Sequence, residues 1–191
     1  MEKIGEPVVM AEGWGKRLLR QIFRKKGKEG EKDTDHDFFI FDYKGGKVFS
    51  SIILPITTEN EVIAVRQFRQ GANDWIMETP GGNPGPAKES PEEVARKELL
   101  EETGYKAEKI IPLASRPIWF EPASNTTRWH PMLALGCIKI TEVQLDETEE
   151  METALIPLPE WLAMINDQRI CDSKTIALTM LALLHLGMKI A

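Results

Sequence analysis

Cysteine is scarce in this 191-residue chain: Cys137 and Cys171 stand alone and far apart. With no neighbouring thiol, they give neither a disulfide framework nor a Cys-based zinc site. Histidine is equally sparse, and His36, His130 and His185 form no local ligand motif. Long apolar runs are missing, so no membrane span is expected, and no secretory pattern opens the sequence. An excess of positive charge is missing too. Lys and Arg number 24 against 30 Asp and Glu, whereas an extended nucleic-acid backbone selects the opposite balance. The local exception is a basic stretch of Lys16, Arg17, Arg20, Arg24, Lys25, Lys26 and Lys28. It reads as a solvated surface rather than a nucleic-acid or membrane site. The expected compartment is the cytoplasm, with no stable nucleic-acid or membrane partner.

What is present suits a globular protein: 42% hydrophobic and 28% charged residues. The length fits one compact domain, or one domain with a small N-terminal extension. Residues 48–55, beginning at Val48, and 62–66 read as short β-branched strands joined by a polar turn over 57–61. Further strands are expected at 129–140 and 154–157, and a helical turn near 161–165. Asp172 or Ser173 can cap a final helix that runs to about Leu186, with Gly187 near its end. This order predicts a mixed α+β domain, not a helical bundle.

The segment Thr79-Pro80-Gly81-Gly82-Asn83-Pro84-Gly85-Pro86 continues neither strand nor helix, because its prolines restrict the backbone and its glycines permit unusual paths. A helix follows. Ser90 is its cap, Pro91 suits its first position, Glu93 completes a capping box, and Gly104 offers a stop. On that helix lies Glu98-Leu99-Leu100-Glu101-Glu102. At about 100° per residue the three glutamates fall within an arc of roughly 100°. Their like charges repel, and cations held between them and a phosphate would give the cluster a purpose. Ala95 and Leu99 can anchor one side of this helix against a sheet. Helical spacing alone equally allows a carboxylate face that only keeps the domain soluble.

The stretch GNPGPAKESPEEVARKELLEETGY, from Gly82 to Tyr105, resembles the signature of the Nudix hydrolase family, G-x5-E-x7-R-E-U-x-E-E-x-G-U with U a bulky apolar residue. Glu89, the seven-residue interval, Glu98, Leu99, Glu101, Glu102, Gly104 and Tyr105 all match. Two positions depart from it. Lys97 stands where the family has arginine and cannot give that residue's planar, two-pronged hydrogen bonding. Asn83 holds the expected glycine position, so using Gly82 requires one extra loop residue. A functional but locally altered turn is expected.

The resemblance implies an α+β fold, a Nudix-like α/β/α sandwich with a mixed central β-sheet over residues 47–191. Residues 1–46 are expected to form an N-terminal extension or small β-rich dimerisation element. It implies magnesium or manganese held by Glu98, Glu101 and Glu102, with the Gly81 carbonyl or its neighbourhood as a further ligand. Gln67-Phe68-Arg69 ahead of Glu78-Thr79-Pro80-Gly81-Gly82 resembles the branch that hydrolyses ADP-ribose and nucleoside-diphosphate sugars. Asp146-Glu147-Thr148-Glu149-Glu150 and Ile170-Cys171-Asp172-Ser173-Lys174-Thr175 resemble its C-terminal pattern. Enzymes of that branch often form homodimers whose N-terminal elements help build the substrate pocket.

Within that frame Glu98 and Glu102 are the expected catalytic metal ligands. Glu149 is the leading base for the attacking water, with Glu147 and Glu150 as alternatives. Arg69 and Glu78, then Arg66 and Arg128, are the expected substrate-binding residues, since guanidinium groups suit phosphate oxygens. Each arginine has a plain reading as a surface cation. Trp75, Trp119, Phe120 and Trp129 can offer a face to a nucleobase or fill a core or dimer interface. His130 reads as a structural histidine, and Pro122-Ala123-Ser124-Asn125 as a pocket rim. The substrate this resemblance implies is a small nucleotide conjugate. Alternatives are hydrolysis of a dinucleotide or other nucleotide diphosphate derivative, and a Nudix-like regulatory domain that binds nucleotide with little turnover.

Overall fold

The computed structural model, which describes residues 1–43, 49–85, 89–143 and 150–188, divides the chain into two units. Unit 1 is Met1–Val48 with Trp119–Arg128, and unit 2 is Phe49–Ile118 with Trp129–Ala191. Val48, Pro86, Asp146, Glu147, Thr148 and Glu149, all named above, lie outside the described residues.

Unit 1 is built on three strands, β1 (Glu2–Gly13), β2 (Lys16–Lys25) and β3 (Thr34–Tyr43), paired antiparallel in that order. Trp14 and Gly15 join β1 to β2 with φ of 52° and 71°. Two successive positive φ values make the mirror-image turn whose twist matches a hairpin. The basic stretch runs along β2, and its arginines meet aspartates of β3: Arg17 with Asp42, Arg20 with Asp37, Arg24 with Asp35. The charge of its three arginines is therefore balanced within the sheet. The 119–128 segment borders β3, where Phe41 N–H donates to the Ser124 carbonyl (2.7 Å) and the Phe41 carbonyl accepts from Thr126 N–H (3.0 Å).

Unit 2 carries β4 (Phe49–Thr57), β5 (Glu61–Arg69), β6 (Asp74–Glu78) and β7 (Gly81–Gly82), then helix α1 (Pro91–Thr103). After it come β8 (Tyr105–Lys106), β9 (Lys109–Pro112), β10 (Ile118–Trp119), β11 (Arg128–Lys139) and β12 (Met151–Pro157), and helices α2 (Leu158–Asn166) and α3 (Ser173–His185), with the terminal residues Trp119 and Arg128 of β10 and β11 counted in unit 1. The strands make one mixed sheet in the order β10-β11-β4-β5-β12, with β6 and β7 on β5 and β4 and with β8 and β9 on β11.

From Ser50 to Thr57 every residue of β4 is buried. Successive strand side chains point to opposite faces, so the sheet is covered on both. On one face Ala95 and Leu99 of α1 pack with Ile53, Ile63, Met132, Ala134 and Cys137. Helix α3 also packs on β4, through a side that buries Leu178 and Ala182, and α2 packs on β5 and β12 with Trp161 fully buried. This is the expected α+β sandwich. Leu99 is 1% exposed, and truncating such a residue to alanine costs about 2–5 kcal/mol.

Helix α1 starts and stops where its sequence says it should. Ser90 Oγ accepts from Glu93 N–H (3.2 Å), Glu93 Oε2 accepts from Ser90 N–H (2.7 Å), and Pro91 opens the helix. Gly104 closes it in the left-handed region, its N–H donating to the Leu100 carbonyl. Those caps fix the rotation and reach of the glutamates.

Candidate active site

Glu98, Glu101 and Glu102 occupy the C-terminal half of α1, where the helix dipole already presents negative charge and no basic residue lies in the last turn. Carboxylates are disfavoured there, and burial adds to the cost. Yet Glu102 is only 7% exposed and the Glu98 side chain only 13%, while Glu101 is 45% exposed. The two inward carboxylates meet the Gly81–Gly82 strap. Glu102 Oε2 accepts from Gly81 N–H at 3.0 Å. The Glu98 carboxylate lies over Gly82, where an added Cβ would stand 2.5 Å from Glu98 Oε1.

The strap lies equally close to the sheet on its other side. Gly81 pairs with Ile52 and Gly82 with Ser51, and the Pro80 carbonyl accepts from Ile53 N–H at 2.9 Å. A Cβ on Gly81 would stand 2.5 Å from the Ser51 carbonyl oxygen. Close backbone approach thus requires glycine at 81, while glycine at 82 leaves the room that the Glu98 carboxylate fills. The altered turn beyond it is pinned as well: Asn83 Oδ1 accepts from the Ser50 hydroxyl (2.6 Å) and Glu89 Oε2 from Gly85 N–H (2.6 Å).

Lys97 sits among these carboxylates, its Nζ 3.5 Å from Glu98 Oε1 and 3.9 Å from Glu101 Oε2. Partial burial works to lower its pKa, but the charges of Glu98, Glu101 and Glu89 outweigh that and raise it above the ordinary lysine value. An ammonium here supplies a point charge, not the two-pronged clamp of arginine.

Among the described residues, no group of three or more His, Cys, Asp or Glu side chains forms a ready-made metal cage. Magnesium does not need one, because it is commonly held by one or two carboxylates with water and substrate phosphates completing its shell. Glu98 and Glu102 offer hard oxygens along one glycine strap, at a helix end where a cation would relieve the accumulated negative charge. That donor set fits a divalent cation.

Beside the carboxylates, β6 ends in Glu78, whose side chain is 5% exposed and takes a fork from Arg69, with Nε–Oε1 and Nη2–Oε2 both 2.7 Å. Hydrogen bonding to Glu78 raises the Arg69 pKa further against burial, and the Glu102 and Asp172 charges add to it. Lys174 of α3 stands 3.8 Å from Glu78 Oε2 and 2.5 Å from Asp172 Oδ1. These residues, with Ala72, Ile76 and Cys171, line a cleft of about 360 Å³.

Arg66 stands elsewhere. Alternation along β5 puts it on the opposite face from Arg69, where it pairs with Glu152 (3.3 Å) and lies over the Trp75 ring (5.2 Å). Arg128, in unit 1, lies over Trp119 at 3.8 Å. Trp129 is 2% exposed and has no face to offer a base. Phe120 lines one cavity of unit 1, and Pro122, Ala123 and Asn125 help line another. His130 meets the Phe49 ring edge-on at 6.0 Å, and burial lowers its pKa. Of the acidic-loop candidates, Glu150 is described and is exposed at the entry to β12, whereas Glu147 and Glu149 lie outside the described residues.

Sequence reasoning gave no role to Lys174 and Thr175. The available signals were the resemblance of the 170–175 segment to the branch's C-terminal pattern and the Asp172-to-Thr175 capping spacing. In the fold Asp172 Oδ2 accepts from Thr175 N–H (2.9 Å), and Thr175 Oγ1 accepts from Thr79 N–H (3.2 Å).

Comparison with known proteins bears on the family and the fold. The family model described as NUDIX domain matches residues 47–177. An ADP-ribose pyrophosphatase of Bacillus subtilis (strain 168) is 32% identical over 124 residues, covering 64% of this chain and 65% of that protein. The chain thus spans just under two thirds of that relative's length. A GDP-mannose pyrophosphatase of Yersinia pestis (strain Pestoides F) is 30% identical over 190 residues, covering 93% of this chain and 89% of its own. Among solved structures, an ADP compounds hydrolase superposes with a TM-score of 0.78 at 16% identity, over 98% of this chain and 95% of that one, a likeness of fold.

Proposed function

Because the chain belongs to the Nudix family, we propose that it is a divalent-metal-dependent diphosphatase acting on ADP-ribose or a related nucleoside-diphosphate sugar. The products are a nucleoside monophosphate and a sugar phosphate. The observation that carries this reading is the pair of sequestered carboxylates, Glu98 and Glu102, packed along the Gly81–Gly82 strap at the negative end of α1. The relatives named ADP-ribose pyrophosphatase and GDP-mannose pyrophosphatase support the substrate class.

Glu98 and Glu102 hold the metal, with Glu101 and the Gly81 carbonyl as further ligands. Bound magnesium or manganese supplies charge screening for the diphosphate and a lowered pKa for the attacking water. Water attacks one phosphorus, the bond from that phosphorus to the bridging oxygen breaks, and the bridging oxygen leaves on the other phosphate. The proton released by the water passes to a carboxylate of the acidic loop, which we assign to Glu149 ahead of Glu147 and Glu150. Arg69, oriented by its fork on Glu78, faces the substrate from the cleft beside the carboxylates, and Arg66 and Arg128 are secondary candidates for substrate contact.

A homodimer is part of the same reading. In unit 1, Val8, Arg20 and Phe39 align across the sheet, as do Leu18 and Phe41, with Val8 57% and both phenylalanines 56% exposed. Exposed apolar side chains of this kind, set among the Arg20–Asp37 and Arg24–Asp35 ion pairs of the same face, suit a second copy of the chain. The unpaired thiols Cys137 and Cys171 support a reducing compartment, the cytoplasm. No described helix is long and apolar enough to cross a membrane.

The test is a panel of nucleoside-diphosphate sugars and dinucleotides incubated with magnesium or manganese, with products weighed by mass spectrometry. ADP-ribose giving AMP and ribose 5-phosphate, or a nucleotide sugar giving the matching pair, supports the reading. Lys97, engaged with Glu98 where arginine is usual, favours one second reading: a nucleotide-binding regulatory domain. Binding without metal-dependent products across the whole panel selects it.

A further inference from the structure

Every residue of the segment Glu78-Thr79-Pro80-Gly81-Gly82 is anchored, and two anchors come from α3. Glu78 is held by Arg69 and lies 3.8 Å from Lys174. Thr79 N–H donates to Thr175 Oγ1, the Pro80 carbonyl accepts from Ile53, Gly81 N–H donates to Glu102, and Gly82 lies under Glu98. Thr175 itself is 1% exposed and held on both sides: its N–H donates to Asp172 and its carbonyl accepts from the Thr179 hydroxyl at 2.8 Å. Thr179 in turn accepts from Trp161 Nε1 at 3.0 Å, which ties the arrangement to α2.

We infer that Thr175 and Lys174, at the start of α3, are positioning residues for the carboxylate site, acting through the Glu78–Gly82 strap. The physical reason is the shortness of the path. A single residue, Pro80, separates the Thr79 amide, fixed by α3, from the Gly81 amide that fixes the buried carboxylate of Glu102. A valine at 175 keeps the shape of threonine but removes the acceptor, leaving the Thr79 amide buried and unpaired, so the strap must shift to find another partner. Groups that orient metal ligands from behind matter nearly as much as the ligands themselves. Lys174 acts at the head of the same segment, joining the Asp172 cap to Glu78.

The inference rests on the metal-dependent reading, so its test measures metal binding directly. Mn²⁺ alone is titrated into the full chain and free Mn²⁺ is read by electron paramagnetic resonance, with a thermal melt on each variant. Glu98→Gln and Glu102→Gln must weaken binding in the wild-type background; if neither does, the metal site and this inference both fall. Given that loss, Thr175→Val should bind Mn²⁺ about 10-fold more weakly, and Thr175→Ser, which restores the acceptor, should return to within about 2-fold of wild type. A folded Thr175→Val with a lowered melting temperature and wild-type Mn²⁺ affinity overturns the inference and leaves the metal site standing. Should that variant not fold, Lys174→Met decides: a loss of about 3-fold sustains the positioning role, and unchanged affinity rejects it.

Discussion

Gly82 leaves the volume that the Glu98 carboxylate fills, to the point that a Cβ on Gly82 would stand 2.5 Å from one carboxylate oxygen and 2.6 Å from the other. The φ of Gly82 is not in the left-handed region, so its backbone accepts an L residue. What alanine displaces is the end of a flexible side chain. Gly82→Ala should therefore fold with a stability change within about 1 kcal/mol, while hydrolysis falls roughly 100-fold because the carboxylate is pushed off its position. Thermal melts and initial rates on the same preparation check both halves. Full activity in a well-folded variant would show that Glu98 can withdraw without consequence.

The two thiols should behave as opposites. Burial pushes the Cys137 pKa up to about 12, against a lowering contribution from the backbone at Ile56, whereas Cys171 is exposed. Because the thiolate is the reactive form, a disulfide-exchange reagent at pH 8 should titrate one thiol rapidly in native protein and two after denaturation. Rapid reaction of both in the native state would contradict the packing of β11 against α1.

Acid should weaken the fold in two windows. Burial of His130 lowers its pKa, so its stabilising contribution is present above the unfolded value of about 6.5 and is lost as pH falls below it. Asp42 is lowered despite burial, which acts to raise it, because hydrogen bonds from Thr126 and Arg17 prevail; Asp35 and Asp37 are lowered by hydrogen bonds from Arg24 and Arg20. Stability from these carboxylates is present above about pH 4 and lost as pH falls through their folded values. Melting temperature against pH should decline first below pH 7 and again below pH 4. His130→Gln should flatten the first limb and Asp42→Asn shallow the second; unchanged limbs would remove those assignments.

How much of this was legible depended on how local the cause was. Helix α1 could be read almost residue by residue, because Ser90, Pro91, Glu93 and Gly104 cap it through contacts within a few positions. Strands β4 and β5 announced themselves by β-branched runs, and β11 and β12 lie where strands were expected at 129–140 and 154–157; β12 starts earlier because Met151 pairs with Gln67, and β5 runs on to Arg69, which pairs with Asp74 of β6. Strands β1, β3 and β6 were not read as strands. β1 contains Gly5 and Pro7, β3 begins with charged residues, and all three are fixed by partners rather than by their own pattern. The grouping of Trp119–Arg128 with the N-terminal strands is likewise a matter of tertiary pairing, seen in the Phe41 hydrogen bonds.

The site divides the same way. The glutamate spacing on α1 and the glycines before it carried the acidic side, and Arg69 and Glu78 were named as substrate-binding residues without any sign that they pair with each other. The support from α3 was out of reach, since Thr79 and Thr175 lie 96 positions apart and no residue between them reports the contact.

The central claim is that Glu98 and Glu102 hold the cation that makes diphosphate hydrolysis possible. The direct measurement is metal-dependent product formation from the best substrate of the panel by wild type, Glu98→Gln and Glu102→Gln, with folding verified by circular dichroism. The account predicts turnover in wild type with magnesium or manganese, abolished by chelation, and a loss of at least roughly 100-fold in each variant. Robust metal-dependent hydrolysis persisting in both folded variants would contradict it.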